Sequence, residues 1–174
     1  MTSFLDKLFG LEGRVAAITG GGGYLCGEMA RGLAKAGCKI AVMDLRGHKA
    51  EDVARDIRNS IGVEAIGLEI DASDKNAFAD GLDQTLAAFG RADILINGAG
   101  INAPTPFLDI TIDEFNDVMK SQITSTLLGC QVFGRHMLDQ GKGSIINISS
   151  ASAGPPLSKA FSYSIAKAGI LNLT

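Results

Sequence analysis

The residues best suited to chemistry are Tyr163 and Lys167, four apart in the run Tyr163-Ser164-Ile165-Ala166-Lys167. At that spacing on a helix, two side chains share a face. A phenol in water keeps its proton up to a pH of about 10. A lysine cation one turn away favours the phenolate. The pair therefore reads as an acid–base device, a base toward an alcohol and an acid toward a carbonyl. Ser150 ends an apolar run upstream, where the loops of a parallel sheet meet a ligand crevice. Its hydroxyl is placed to hold a substrate oxygen.

A second feature is the turn Thr19-Gly20-Gly21-Gly22-Gly23-Tyr24-Leu25-Cys26-Gly27. Glycine lets a phosphate approach the backbone, and the helix that follows offers free N–H groups and a positive dipole end. Thr19, Gly20, Gly22, Gly23, Tyr24 and Leu25 are the expected phosphate contacts. Asp44 and Leu45 close the second apolar run. An acidic residue there accepts hydrogen bonds from an adenosine ribose and repels a 2′-phosphate. NAD is the cofactor expected, ahead of NADP, although Arg46 nearby is suited to a 2′-phosphate. An Asp at this point also serves simply to start a turn.

These groups need a frame. Short apolar runs at 14–19, 39–44, 63–70, 93–97 and 144–149 read as strands buried on both faces. Helical patterns separate them, ending at Gly37, Gly62 and Gly90, where glycine supplies the left-handed turn that stops a helix. The longest helix is expected over 111–140, opened by a capping box in which Thr111 and Glu114 satisfy orphan N–H groups. Alternating units of this kind wind a doubly wound parallel α/β sheet, a Rossmann fold of three layers in one domain spanning 1–174. Loops 101–110 and 151–158 should border the pocket, stiffened by Pro104, Pro106, Pro155 and Pro156. Asn102, Thr105 and Ser152 are polar candidates there, and solvated loop positions are the simpler reading of each.

The chain has 174 residues, a net charge of -3, 46% hydrophobic residues and 22 glycines. That suits one packed domain and gives nucleic acid no basic footprint. Cys26, Cys38 and Cys130 form no CxxC pair and read as free thiols in a reducing cytoplasm. No metal ligand set is expected. Residues 1–10 read as a short amphipathic lead-in packed on the body rather than a targeting segment. No apolar stretch approaches the length of a membrane span.

The glycine turn, Asp71, Asn97-Gly98-Ala99-Gly100, Asn147-Ile148-Ser149-Ser150 and the Tyr163-to-Lys167 run stand in the order seen in short-chain dehydrogenases/reductases of the classical type. The chain resembles that family from about Gly10 to its last residue. The resemblance implies Tyr163 as acid/base, Ser150 on the substrate oxygen and Lys167 also on the nicotinamide ribose. It implies Asp71 and Ala72 beside the adenine, with Asn97, Gly98, Ala99 and Gly100 supporting the sheet and lining the cofactor. It implies a small-molecule alcohol or ketone substrate and homotetramers or dimers in the full-length form. Within the family, the chain looks most like enzymes acting on sugar acids such as mannonate or gluconate.

Three departures accompany the match. Tyr24 and Cys26 stand where the family has its second and third motif glycines. Gln122 stands at the position of the family's catalytic Asn, an amide on a longer arm. Family members continue past Thr174 through further strands, so the chain is expected to be a fragment lacking the last strands, with the fifth strand an open edge. The reading is an NAD-dependent oxidoreductase interconverting a secondary alcohol and a ketone. The alternative is a nucleotide-binding module without turnover, which Tyr24, Cys26, Gln122 and the early stop favour.

Overall fold

A computed structural model describes residues 9–174; the lead-in expected at 1–10 lies almost wholly outside them. Five strands form one parallel sheet: β1 (Val15–Thr19), β2 (Lys39–Asp44), β3 (Ala65–Glu69), β4 (Ile94–Asn97) and β5 (Ser144–Asn147), in the order β3-β2-β1-β4-β5. The helices are α1 (Tyr24–Lys35), α2 (Gly47–Ser60), α3 (Lys75–Phe89), α4 (Ile112–Met119), α5 (Ser125–Asp139) and α6 (Phe161–Leu173).

The period-2 alternation of strand side chains sorts the core into two halves. Ala16, Ile18, Ile40, Val42, Ile94 and Ile96 face α1 and α2, meeting Ala30, Val53 and Ile57. Ala17, Ala41, Met43 and Leu95 face the other way, onto Phe78 and Leu82 of α3 and Phe133 and Met137 of α5. The result is the expected three-layer, doubly wound α/β architecture. β1 and β4 are buried throughout, as their apolar runs require, while the edge strands β3 and β5 are partly exposed. Gly37, Gly62 and Gly90 take positive φ at the helix ends.

The structure departs from the expected elements in four places. β3 begins at Ala65 rather than Val63, and β5 ends at Asn147, after which the chain leaves the ladder with one more bond, from Ile148 N–H to Asn97 C=O at 3.0 Å. The long helix is interrupted by a π-helical segment, Lys120–Thr124. Its wider turn loosens backbone carbonyls. The Ser125 hydroxyl donates to the carbonyls of Ser121 and Gln122, and that of Thr126 to Gln122 at 2.7 Å. The capping box is half made: Thr111 Oγ1 accepts from Glu114 N–H at 3.1 Å, but the Glu114 carboxylate accepts from the Thr105 hydroxyl at 2.7 Å instead of reaching back.

Asp93 clamps the base of the sheet. Its buried carboxylate accepts from Arg14 Nη1 at 3.1 Å, Val15 N–H at 3.0 Å and Arg91 Nε at 2.6 Å. Burial pushes its pKa up, and the Arg91, Val15 and Arg14 hydrogen bonds together outweigh that and hold it below the usual carboxylate range. Asp93→Asn should cost about 1–3 kcal/mol at pH 7. A carboxyl whose folded pKa is depressed stabilises fully above its unfolded pKa and loses that contribution as pH falls through the folded value. The gap between wild type and Asp93→Asn in urea unfolding should therefore be full at pH 7 and narrower at pH 3. A gap of equal size at both would contradict the clamp.

Candidate active site

At the carboxyl ends of β1, β2 and β4 a crevice of about 630 Å³ opens, the position ligands take in open parallel sheets. Its floor is set by Thr19. The Thr19 hydroxyl accepts from Gly98 N–H at 3.1 Å and Ala99 N–H at 3.2 Å, which ties the loop after β4 to the end of β1. Gly20 turns the chain away with φ 67°, and a Cβ there would press on Gly98 and Ala99.

The turn then delivers α1 with its first N–H groups bare. Gly23 is the N-cap, no side chain caps the helix, and no acidic residue lies in its first turn. That is the condition for binding a phosphate at a helix N-terminus. Tyr24 is 89% exposed and Leu25 is also exposed, so neither side chain fills the crevice it borders. Cys26 points inward and packs so closely on Gly98 that a Cβ on that glycine would collide with its sulfur. Burial pushes the Cys26 thiol up, the Lys167 ammonium opposes that, and the Asp44 carboxylate adds to it. The bulk of the sulfur is thus absorbed by the missing side chain at Gly98.

Asp44 is buried at the far end of the crevice. Its Oδ2 accepts from Gly22 N–H at 3.1 Å, and its Oδ1 from Arg46 N–H at 3.0 Å and Arg46 Nε at 3.3 Å. A carboxylate offers about four acceptor positions, so three are taken. Accepting two ribose hydroxyls requires the long Arg46 side-chain bond to open. Asp71 lies in the same wall, its pKa held low by the Ser73 hydroxyl and N–H.

At the opposite end stand Tyr163 and Lys167, on one face of α6. The Lys167 ammonium lies 5.3 Å from the centre of the Tyr163 ring and donates to the Ile148 carbonyl at 2.6 Å. Lys167 is 5% exposed, and burial lowers its pKa from the ordinary lysine value, with the Cys26 sulfur acting in the opposite direction. α6 is fixed to β5 by the Ser149 hydroxyl on the Lys167 carbonyl at 2.8 Å and by Asn147 Nδ2 on the Thr174 hydroxyl at 3.0 Å.

Gln122 enters the crevice from the π-helical segment. It is 2% exposed, its Nε2 donates to the Ile101 carbonyl at 2.9 Å, and its Oε1 has no partner among the described residues. An orphan buried acceptor of this kind fits a polar ligand or a bound water. The bare helix turn, the buried Asp44 carboxylate and this acceptor together fit a dinucleotide.

The crevice gathers Thr19, Gly20, Gly23, Tyr24, Leu25, Asp44, Leu45, Asp71, Ala72, Gly98, Ala99, Gly100, Gln122, Tyr163 and Lys167 of the expected set. Three others sit outside its lining. Gly22 braces Asp44 through its N–H. Asn97 is a strut, its Nδ2 donating to Asn147 Oδ1 at 2.9 Å across β4 and β5. Ser150 caps a 3-10 turn, accepting from Ser152 N–H at 3.2 Å with its hydroxyl 2.9 Å from that of Ser152. Residues not expected also line the crevice, among them Ser121 and Ile148. Ile148 acts through its carbonyl, which no side-chain pattern reveals.

A family model described as short chain dehydrogenase matches residues 14–174. The chain belongs to the short chain dehydrogenase family. The oxidoreductase UxuB of Bacillus subtilis, described as uncharacterized, is 37% identical over 94% of this chain and 64% of its own length. Gluconate 5-dehydrogenase of Gluconobacter oxydans is 30% identical over 96% and 65%. The crystal structure of an NAD+-bound xylitol dehydrogenase superposes with a TM-score of 0.90 at 29% identity, over 94% of this chain and 63% of that one. The chain thus spans a little under two thirds of the length of these three proteins.

Gly100 offers a test of the crevice packing. A Cβ there would collide with the Gln122 amide. Gly100→Ala should cost about 1–3 kcal/mol in denaturant unfolding. Adding Gln122→Ala should remove most of that cost, because the three atoms nearest such a Cβ all belong to that side chain. Additive losses would contradict the contact.

Proposed function

We propose that the chain is the cofactor-binding and catalytic part of an NAD(H)-dependent oxidoreductase that interconverts a secondary alcohol and a ketone, on a sugar acid or a polyol. The observation that carries this reading is the buried Lys167 ammonium beneath Tyr163 at the mouth of a crevice with bare N–H groups at its other end.

The bound nicotinamide supplies a hydride acceptor for the carbinol carbon, or a donor in reverse. In oxidation, Tyr163 takes the hydroxyl proton of the alcohol at its phenolic oxygen; in reduction it returns that proton to the carbonyl oxygen. Lys167 keeps positive charge under the ring through its bond to Ile148 and holds the ribose next to the nicotinamide. Gln122 presents its free Oε1 to a water or to the substrate. Ser150 exchanges its contact with Ser152 for the substrate oxygen. Asp44 selects the unphosphorylated ribose, which favours NAD over NADP, and the NAD+ in the xylitol dehydrogenase neighbour supports that choice. Polyol and sugar-acid names among the relatives support the substrate class. The free thiols suit a cytoplasmic enzyme, and among the described residues no helix is long and apolar enough to cross a membrane. A homotetramer or dimer is the assembly proposed.

One observation favours a second reading, a nucleotide-binding module without turnover: the Ser150 hydroxyl is engaged with Ser152 and lies outside the crevice lining. The two separate cleanly. Purified protein is mixed with NAD+ and secondary alcohols, including D-gluconate and xylitol, and reduced cofactor is followed by absorbance. The oxidoreductase gives turnover that falls about 100- to 10,000-fold in Tyr163→Phe with NAD+ affinity kept. NAD+ binding without turnover supports the module. Asp44→Ala should raise the NADP+ to NAD+ ratio of kcat/KM by about tenfold or more, a shift of about 1.4 kcal/mol; an unmoved ratio removes Asp44 from cofactor selection.

A further inference from the structure

A second depression, of about 440 Å³ and open to solvent, lies where the loop after β4 meets the loop before α6, with Phe107 64% and Leu157 61% exposed. Phe107 and Phe161 form an edge-to-face wall with ring centres 4.7 Å apart, and Pro106, Pro156 and Leu157 complete its apolar lining. Lys159 is the only ionisable residue of that lining. No ion pair among the described residues involves it. It is also the only residue other than glycine with a positive φ, 57°, among those described. That left-handed conformation is uncommon for residues other than glycine.

The start of α6 adds to the positive potential. Ala160 is its N-cap, no side chain caps the first N–H groups, and no acidic residue lies in the first turn. The depression therefore sets an exposed lysine with no ion-pair partner and a bare helix start beside an apolar surface. That combination suits a ligand with a carboxylate at one end and a carbon chain that packs on rings. Tyr163 lies four residues after Lys159, within the first turn of the same helix, and borders the cofactor crevice.

We propose that Lys159 and this depression form the carboxylate subsite of the substrate, so that the protein prefers a hydroxy acid to the matching neutral polyol. The proposal rests on the oxidoreductase reading and names its substrate class. Loop 154–159 is then a specificity element, with the anionic end of the substrate at Lys159 and its reacting carbinol at Tyr163.

The test uses two matched pairs, D-gluconate with D-sorbitol and D-mannonate with D-mannitol. Binding in the presence of NAD+ is read by calorimetry and turnover by absorbance. Wild type should favour the acid of each pair by about tenfold or more in affinity or kcat/KM. Lys159→Met should erase that preference through KM, with kcat and the polyol values unchanged, and Lys159→Arg should restore most of it. Equal losses for acid and polyol, an acid preference that survives Lys159→Met, or no acid binding would overturn the subsite. If acids bind through Lys159 but nothing turns over, the subsite stands and the oxidoreductase reading falls. If acids and polyols are oxidised equally by wild type and Lys159→Met, the oxidoreductase reading stands and the subsite falls.

Discussion

A buried ammonium governs this structure. Removing Lys167 from water disfavours its charge, and the compensation visible in the fold is the Ile148 carbonyl at 2.6 Å with the face of the Tyr163 ring above. Both partners are positional. Ile148 is aimed by the last ladder bond between β5 and β4, and Tyr163 by one turn of α6. If α6 turned by one residue, the cation would lose the Ile148 carbonyl while keeping the ring, because Tyr163 and Lys167 ride on the same helix. The contacts of Ser149 with the Lys167 backbone and of Asn147 with Thr174 hold that helix against the end of β5.

The rest of the sheet serves the same alignment at longer range. Thr19 draws the Gly98–Ala99 backbone onto β1, and Asn97 bridges to Asn147 behind it. Two close approaches then depend on glycine, Cys26 against Gly98 and Gln122 against Gly100. These contacts bring the bare start of α1, Asp44 and the Tyr163–Lys167 pair to one crevice although the residues span most of the chain. The chemistry proposed needs that convergence more than it needs any one side chain.

Much of this was legible from residue types. Continuous apolar runs announced central strands, and glycine marked helix ends. A carboxylate closing β2 and a Tyr–Lys spacing of four marked the two ends of the crevice. What escaped has physical reasons. The π-helical turn at Lys120–Thr124 was not read from the sequence, because a local change from i→i+4 to i→i+5 hydrogen bonding is a backbone event with no residue-type signature. Glu114 was expected to cap its own helix, and the nearby Thr105 hydroxyl is instead its partner. Ser150 has its hydroxyl against Ser152, a local competition that spacing cannot weigh. The Ile148 carbonyl is a backbone group and has no signature in residue type.

The most direct measurement is a crystal structure of this chain with NAD+. The account predicts the pyrophosphate on the first N–H groups of α1 and the adenosine ribose at Asp44. It also predicts Lys167 still bonded to Ile148 while reaching the ribose next to the nicotinamide, beside Tyr163. A nicotinamide bound away from Tyr163, or a Lys167 side chain turned out of the crevice, would contradict it.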